Sequence, residues 1–459
     1  MQLMKKRFNN FDPISSKQWK QRIQFELDGA DYNDILVWNS PEDIKVKPFY
    51  HRDESQQSLF TQAKSECFKI CQNIFVHDEV KSNFRALSTL KKGAESILFT
   101  VNNDQIDIEK LLKNIPLEKT PVYFNLGFLS EAFIKKIDEI ALQKKGTIYC
   151  NLDPIGHLAK DGNWFKTPEN NNFETIKTLS KSIQTVSFIS VNCTVYQNAG
   201  ATLTQQIAYS LAHVNEYLNR IKTIHKPIVF QVSVGSNYFF EIAKLRALRL
   251  LFGLIAKEYD HHLDCHLLVS PTKRNKTIYD FDVNLIRTTS ECMSAILGGA
   301  DAVSNLAFDG LFRKDNEYSD SIARNQLRIL KHKSYLDKVN NPVDGSYYIE
   351  SLTYQLAEKA LILFQDIEKQ GGFLKQLNEG VIQRKIQESA HKEQALFDAE
   401  KEILVGINAY CNTKSSMKDA LELYPFLKIK PRKTLITPII ATRLAEKLEQ
   451  NRLKKEPIL

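Results

Sequence analysis

Short apolar runs rich in β-branched residues alternate along most of the chain with longer stretches of helical spacing. The predicted strands cover residues 74–76, 96–101, 122–126, 147–152, 186–191, 228–234, 263–269 and 302–306. The predicted helices that follow them cover residues 84–90, 108–115, 131–142, 173–183, 203–221, 239–258, 283–297 and 320–335. Strands that are apolar throughout are typical of a parallel sheet covered by helices. Eight strand–helix units in series therefore predict an α/β protein with a closed (β/α)8 barrel of the TIM type.

The count of eight depends on the first strand, whose pattern is the shortest, so seven units are also compatible with the sequence. A doubly wound open sheet is the alternative architecture. Residues 1–70 predict an arm of short helices and extended pieces that has little scope for a core of its own. Residues 71–340 hold the predicted barrel, and residues 341–459 carry long helical patterns that predict a C-terminal helical extension, interrupted by a proline-containing stretch at 425–438.

Composition and charge narrow the class of protein. The chain has 459 residues, of which 43% are hydrophobic, and a net charge of +8. Its basic C-terminal stretch lacks the interleaved aromatic residues of a single-stranded nucleic-acid site, so a solvated helix face is favoured. No apolar run reaches membrane-spanning length and the N-terminus has no secretory core, so we expect a soluble, cytoplasmic protein without a membrane partner. Seven cysteines without a C-x-x-C pair argue against a disulfide framework or a zinc ribbon.

Active residues of a TIM barrel lie at the carboxyl ends of its strands. Four candidates for substrate binding at this barrel mouth are Asn125, Asp153, Asn192 and Gln231. Further polar residues at the strand ends are Asn151, His157, Ser233 and Ser270. Amides and hydroxyls dominate these positions, and such groups bind polar partners but transfer no protons near neutral pH, so the set predicts binding rather than catalysis.

Two groups of residues have spacings that invite a metal interpretation. Asp153, His157 and Asp161 are spaced four apart, but Pro154 and Gly156 within this segment favour an ordinary polar loop. His261, His262 and His266 are also close in sequence. The last two would share a face only on a helix, and the surrounding segment is predicted to be a strand. We therefore predict no metal site. Phosphate-binding and nucleophile-elbow motifs are absent from the sequence.

The strand-to-helix elbow Gln197–Asn198–Ala199–Gly200–Ala201 has the form of an active-site turn. Gly200 allows a tight turn, and Thr202 with Gln205 predicts a capping box for the helix that follows. Tyr196 could donate a hydrogen bond, but the residues before the elbow include no acid or base suited to neutral pH.

Several segments resemble the cobalamin-dependent acyl-CoA mutases, and methylmalonyl-CoA mutase in particular. They are NAGATLTQQIAYSLAHVNEYL (198–218), EIAKLRALRLLF (241–252), LIRTTSECMSAILGGADAVSNLAFD (285–309), SIARNQLRIL (321–330) and NPVDGSYYIESLTYQLAEKA (341–360). They keep the family's order. The arm segment WKQRIQFELDGADYNDILVWNSPEDIKVKPFY (19–50) is similar to the start of the family's chains.

The departures from the family pattern concern the residues that do chemistry. Catalytic members carry an elbow similar to G-Y-H-M-x-E-A-G-A, whose histidine hydrogen-bonds the substrate thioester. Here Val195 stands at the histidine position and Asn198 at the acidic position. The segment PFYHRDESQQSLF does not match the family's R-Q-Y-A-G-F-S segment. The string Asp264-Cys265-His266 lacks the glycine of the family's D-x-H-x-x-G cobalamin loop.

The resemblance thus implies a non-catalytic small subunit of a heterodimeric mutase, without a cobalamin-binding Rossmann-like domain. It implies no catalytic residue and no cofactor in this chain, adenosylcobalamin in a large catalytic partner, and a pairing role for the arm. The family's barrel carries the coenzyme A chain along its axis between small residues. Strands such as SILFTV and PVYFNL instead predict a bulkier interior here. Two alternatives stay open: an acyl-CoA-binding barrel that works with a separate cobalamin-domain chain, and a stand-alone regulatory or chaperone-like barrel.

Overall fold

Eight parallel strands close into a barrel in the computed structural model, which describes residues 12–54, 67–221, 224–259, 263–428 and 431–456. The order around the barrel follows the chain from β3 to β10, and β10 pairs with β3. The strands are β3 (Lys69–Phe75), β4 (Ser96–Val101), β5 (Val122–Leu126), β6 (Ile148–Leu152), β7 (Ser187–Asn192), β8 (Ile228–Val234), β9 (Cys265–Pro271) and β10 (Ala302–Val303). The predicted (β/α)8 barrel is confirmed, and the open sheet is excluded.

The first strand differs most from its prediction. It begins at Lys69, whereas the sequence pattern predicted a start near residue 74. The prediction missed the first part of the strand because the polar residues Gln72 and Asn73 interrupt the apolar pattern.

β1 (Trp38–Asn39) and β2 (Lys45–Val46) form a small antiparallel pair in the arm. The helices are α1 (Ser16–Glu26), α2 (Tyr32–Leu36), α3 (Glu79–Lys91), α4 (Ile108–Leu111), α5 (Glu131–Gln143), α6 (Pro154–Asp161), α7 (Asn170–Ser182), α8 (Thr194–Asn198), α9 (Leu203–Arg220), α10 (Tyr238–Glu258), α11 (Val283–Leu297), α12 (Glu317–His332), α13 (Tyr347–Lys369), α14 (Phe373–Asn378), α15 (Val381–Asp398) and α16 (Glu446–Lys455).

Two separate apolar clusters follow from the alternation of side chains along each strand. The larger cluster lies between the strands and the surrounding helices and includes outward residues such as Ile97, Phe99 and Phe124. The smaller cluster fills the inside of the barrel. Its members come from seven strands: Cys71, Leu98, Tyr123, Tyr149, Val229, Leu268 and Ala302. Residues two positions further along these strands consequently face the barrel mouth.

Three rings dominate the barrel interior, and we call Tyr123, Tyr149 and His266 the aromatic plug. The rings of Tyr123 and Tyr149 stack at 4.8 Å between centroids, and Tyr149 stacks on His266 at 4.4 Å. The Tyr123 hydroxyl lies 2.9 Å from Nε2 of His266. Burial raises the pKa of Tyr123 well above its ordinary value, so the hydroxyl stays protonated. The expectation of a bulky interior is confirmed.

The arm packs against the barrel through a buried carboxylate. Glu42 accepts hydrogen bonds from the backbone N–H groups of Leu203 (2.6 Å) and Thr204 (2.8 Å) at the start of α9. A carboxylate at this position satisfies free N–H groups and interacts favourably with the helix dipole. Trp38 also packs edge-on against Phe240 of α10 at 5.7 Å.

The C-terminal region contains less helix than its sequence pattern predicts. Helices occupy most of the stretch from α13 to α15, but the described residues between 399 and α16 are largely irregular. No helix in the described part of the chain is long and apolar enough to cross a membrane. None of the seven cysteines, all of which lie within the described residues, forms a disulfide, and Cys150, Cys193 and Cys265 are buried.

We predict that truncating the aromatic plug destabilises the barrel. Tyr123→Ala should lower the free energy of unfolding by about 3–5 kcal/mol because it opens a cavity in a closed space. Tyr123→Phe should cost about 1 kcal/mol, since only the contact with His266 is lost. Urea denaturation measures both. Tyr410→Ala, at a side chain 86% exposed, serves as the control and should change stability by less than about 0.5 kcal/mol.

Candidate functional site

The barrel mouth brings three of the four predicted binding residues together. Asn125 lies two residues beyond Tyr123 on β5, so its side chain faces the lumen, and it accepts a hydrogen bond from Asn151 Nδ2 at 2.8 Å. Asn192 and Gln231 are register partners on β7 and β8, and both are partly exposed. The mouth is therefore lined by neutral amides, which bind polar groups but are not acids or bases.

Asp153 does not line the mouth with them. Its buried carboxylate caps α6 by accepting from Gly156 N (2.8 Å), and it also accepts from Asn192 N (2.7 Å). His213 Nε2 and the Tyr217 hydroxyl, both from α9, approach the same carboxylate at 2.8 and 2.7 Å. Asp153 thus joins the ends of two strands to a helix, which differs from the substrate-binding role we expected.

A chain of buried polar groups extends from this carboxylate. Because a carboxylate only accepts, His213 donates to Asp153 from Nε2, and its Nδ1 lies 2.7 Å from the Tyr196 hydroxyl. Burial would raise the pKa of Asp153, but His213, Tyr217 and the Gly156 N–H together hold that pKa below its ordinary value. Burial, followed by the Asp153 charge, raises the pKa of Tyr196 well above 10. All four side chains of this network are buried, so it offers no exposed polar group to a ligand.

The segment that contains Asp153, His157 and Asp161 is a helix and not the irregular loop we predicted. The three side chains nevertheless diverge. His157 stacks on Phe165 at 3.8 Å between ring centroids, and Asp161 forms an ion pair with Arg432 at 2.5 Å. Among the described residues, no group of three or more His, Cys, Asp or Glu side chains could hold a metal ion.

Of the three histidines near β9, His266 lies within the described residues. His266 lies in the strand, as predicted, and belongs to the aromatic plug. His261 and His262 lie outside the described residues.

The elbow after β7 has the predicted turn and cap. Residues 194–198 form the short helix α8, and Gly200 has φ of +96°, a conformation that favours glycine. Thr202 and Gln205 make both hydrogen bonds of the capping box at the start of α9. Val195 is buried, with 7% of its surface exposed. Its side chain is apolar and offers no hydrogen-bonding group to a ligand.

The outer side of the elbow is covered by the chain itself. A Cβ atom at Gly200 would lie 2.6 Å from Cβ of Ala390 on α15, so the helix and the turn are in close contact. Ser389 donates to the Gly200 carbonyl oxygen at 2.9 Å. Asn198 Oδ1 accepts from Thr272 Oγ1 and from the Lys273 N–H, both at 3.0 Å. Asn198 is therefore committed to joining the β7 and β9 loops.

An irregular segment, residues 431–445, crosses the rim of the barrel, and we call it the strap. Its backbone N–H groups donate in sequence to the loops: Leu435 to Gly162 (3.0 Å), Ile439 to Ala159 (2.7 Å), Thr442 to Asn198 (3.1 Å) and Leu444 to Arg274 (3.0 Å). The strap thus covers the outer rim from the β6 loop to the β9 loop. Main-chain pairing of this kind leaves almost no periodic signal in a sequence.

The sequence contained a partial signal for the buried network. His213 and Tyr217 are one helical turn apart on the predicted α9, so they share a face. The missing information was that Asp153 and Tyr196, which lie in the loops after β6 and β7, reach that same face. Sequence reasoning also missed Lys273, which follows β9 at the mouth.

Comparison with known proteins identifies a family. A family model described as methylmalonyl-CoA mutase matches residues 101–450. The chain is 30% identical to the methylmalonyl-CoA mutase small subunit of Porphyromonas gingivalis, over 91% of this chain and 73% of that protein. It is 34% identical to the methylmalonyl-CoA mutase of Rhizobium meliloti, over 89% of this chain and 65% of that protein. With the human mitochondrial methylmalonyl-CoA mutase it shares 26% identity, over 88% of this chain and 62% of that one.

We predict that Asp153 is required for stability. Asp153→Ala should lower the free energy of unfolding by about 3–5 kcal/mol, because it leaves His213, Tyr217 and two backbone donors without their acceptor. Asp161→Ala on the same helix removes an ion pair that solvent reaches and should cost less than about 1 kcal/mol. Equal losses in guanidinium titrations of the two variants would contradict this assignment.

The same carboxylate gives a pH signature. Its pKa is depressed in the folded state, so its contribution is complete above the unfolded pKa of about 3.9 and is lost as the pH falls through the folded pKa. The stability difference between the wild type and Asp153→Asn should therefore stay constant from pH 7 to about pH 5 and narrow only below about pH 4.

We also predict that the elbow requires glycine. Gly200→Ala should cost at least about 2 kcal/mol, because the left-handed backbone disfavours alanine and the added methyl group would meet Ala390. Gly253→Ala, inside α10 with no atom within 4 Å of the added Cβ, should stabilise the protein by about 0.5–1 kcal/mol. In thermal unfolding, the melting temperature should fall for Gly200→Ala and rise for Gly253→Ala. A fall of similar size in both variants would contradict the contact with Ala390.

Proposed function

The chain belongs to the methylmalonyl-CoA mutase family, and on that basis we propose that it is the small subunit of a heterodimeric, adenosylcobalamin-dependent mutase. The complex would interconvert methylmalonyl-CoA and succinyl-CoA in the cytoplasm. In this proposal the large partner holds the active site, and this chain supports it without contributing a catalytic residue. The chain spans 73% of the small subunit it resembles and 65% or less of the other two relatives compared, so the activity of those whole proteins is assigned here as a proposal.

The filled barrel axis is the observation that carries this proposal. Tyr123, Tyr149 and His266 stack on one another inside the barrel, and Leu98 and Leu268 belong to the same interior layer. Side chains of this size fill the interior of an eight-stranded barrel. A coenzyme A chain could not follow the axis without displacing the aromatic plug. This supports a barrel that is retained for its outer surface.

The elbow supports the same conclusion. Val195 cannot donate a hydrogen bond to a thioester oxygen, and a preorganised donor of that kind is a large contributor to catalysis in acyl transfer and related chemistry. Asn198 is bonded to Thr272 and Lys273 on its oxygen and to the Thr194 carbonyl on its nitrogen. Both polar atoms of its side chain are therefore used in hydrogen bonds that hold the elbow and the loop after β9 together.

Cobalamin chemistry does not fit the residues of this chain. The string nearest to the family's cobalamin loop places His266 on β9, where the ring stacks on Tyr149 and its Nε2 lies beside the Tyr123 hydroxyl. An imidazole whose face and Nε2 are engaged in this way would have to leave the plug to serve as an axial ligand. We therefore assign adenosylcobalamin to the partner and derive no step through it here.

Coexpression with a large mutase chain from the same genome tests the proposal. We expect the two chains to elute together from size-exclusion chromatography in equal amounts, and the complex to isomerise methylmalonyl-CoA when adenosylcobalamin is supplied. The isolated chain should bind no acyl-CoA in calorimetry and show no turnover. Acyl-CoA binding by the isolated chain would favour a barrel that works with a separate cobalamin-domain protein. Separate elution of the two chains would favour a stand-alone regulatory barrel.

A further inference from the structure

A cavity of about 510 Å³ lies between the arm and the start of α13. Residues 46–50 of the arm form one wall, and residues 346–348 form the other. Four of these lining residues are aromatic: Phe49, Tyr50, Tyr347 and Tyr348. Ligand pockets typically have volumes of about 300–1,000 Å³ and are lined mainly by apolar and aromatic side chains with a few polar groups. The size and the lining of this cavity therefore suit a small molecule.

The aromatic rings of the cavity are supported by neighbouring rings. Tyr50 of the arm packs on Tyr348 of α13, with 5.1 Å between the ring centroids. Phe239 of α10 packs edge-on against Tyr348 at 5.3 Å. In the arm, Trp19 of α1 makes an edge-on contact with Phe49 at 6.3 Å. A ligand would thus meet walls that are already ordered, which reduces the entropy cost of binding.

The backbone of each wall is also fixed from below. Arg246 of α10 forms ion pairs with Asp344 at 2.5 Å and with Glu350 at 2.9 Å, on either side of the α13 wall. The Gly345 N–H donates to the same Glu350 oxygen at 3.2 Å. The arm wall follows Glu42, whose carboxylate is bound at the start of α9. Both walls are therefore anchored to the helices of the barrel.

Hydroxyl groups of the lining are available to a ligand. Ser346 and Tyr347 are exposed, and within the described part of the chain neither uses its hydroxyl group in a hydrogen bond. The Tyr50 hydroxyl accepts the Lys47 N–H at 3.3 Å, which leaves its own proton free to be donated. Burial raises the pKa of Tyr50, although the bond from the Lys47 N–H opposes the change, so this hydroxyl remains a donor at neutral pH.

Lys47 provides the positive charge of the cavity. It is the charged residue among the described residues that line the cavity. Its ammonium group lies 3.2 Å from a Glu54 carboxylate oxygen, and both side chains are exposed. An exposed ion pair of this kind contributes little free energy. A negatively charged group on a ligand can therefore compete with Glu54 for the ammonium group.

We propose that this cavity binds an aromatic ring that carries an anionic group, with the ring against the aromatic walls and the anion at Lys47. Aromatic walls favour a flat ring, because stacked and edge-on contacts between rings add to the free energy of apolar burial. The hydroxyl groups of Tyr50 and Tyr347 then serve acceptors on the ring edge. Nucleotides and aromatic carboxylates share this chemistry. The cavity lies outside the barrel, so this site goes beyond the proposed function and is tested separately from it.

Calorimetric titration of the full chain at constant ionic strength tests the ligand class. AMP and indole-3-acetate are the anionic ring probes, and they distinguish a nucleotide from an aromatic carboxylate. Adenosine and indole-3-acetamide are their neutral counterparts, and ribose 5-phosphate is an anion without an aromatic ring. We expect saturable binding of AMP or indole-3-acetate, weaker binding of its neutral counterpart, and no saturable binding of ribose 5-phosphate. Absence of saturable binding for both anionic ring probes would overturn the proposal, as would equal affinity for a ring probe and its neutral counterpart.

Matched variants test the location of the site. Tyr347→Ala should weaken the binding of the anionic ring probe about tenfold, because one aromatic wall is lost, while the melting temperature of the free protein stays nearly unchanged. Tyr354→Ala, at an exposed tyrosine of α13 outside the cavity, should leave the affinity unchanged. Lys47→Met should also weaken binding, whereas Lys45→Met, at an exposed lysine of β2, should not. Equal effects within either pair would overturn the proposal, because binding would then lie elsewhere or reflect net charge alone.

Discussion

The inside of an eight-stranded barrel has to be filled, and the way in which this protein fills it determines what the barrel can do. Tyr123, Tyr149 and His266 occupy the space as one stacked unit, and smaller apolar side chains from the other strands complete the layer. The strands can then close without a ligand. The outer face of the same barrel keeps the apolar packing that holds the helices, so the fold and the accessibility of its axis are controlled by different sets of residues.

The elbow after β7 shows how the architecture of an active site can serve as a structural joint. The turn at Gly200 and the cap at Thr202 set the direction of α9, while α15 and the strap close over them. Below the elbow, Asp153 gathers donors from one strand and two helices into the protein interior. Polar groups that would be costly to bury alone are satisfied together, which stabilises the rim of the barrel without a reactive group.

The sequence predicted the barrel because its strand and helix signals are local and repeated. All eight strands and their helices were located from periodicity, with the largest error at β3, where Gln72 and Asn73 mask the pattern. The residues of the mouth were predicted in the same way, from their positions at strand ends. Asp153 was misassigned because its partners His213 and Tyr217 lie about 60 residues away along the chain. The strap was missed because main-chain hydrogen bonds to loops depend on shape and not on side-chain type.

The carboxylate of Glu42 connects parts of the chain that are separated by 161 positions. Its acceptor role requires the free N–H groups at the start of α9, and these are presented only after that helix has formed and packed. Closing so long a loop is slow compared with forming the local strand–helix units. We therefore expect the arm to dock after the barrel has assembled, so that a docked arm marks a folded barrel. Any molecule that recognises the docked arm thereby discriminates between mature and incompletely folded copies of this protein.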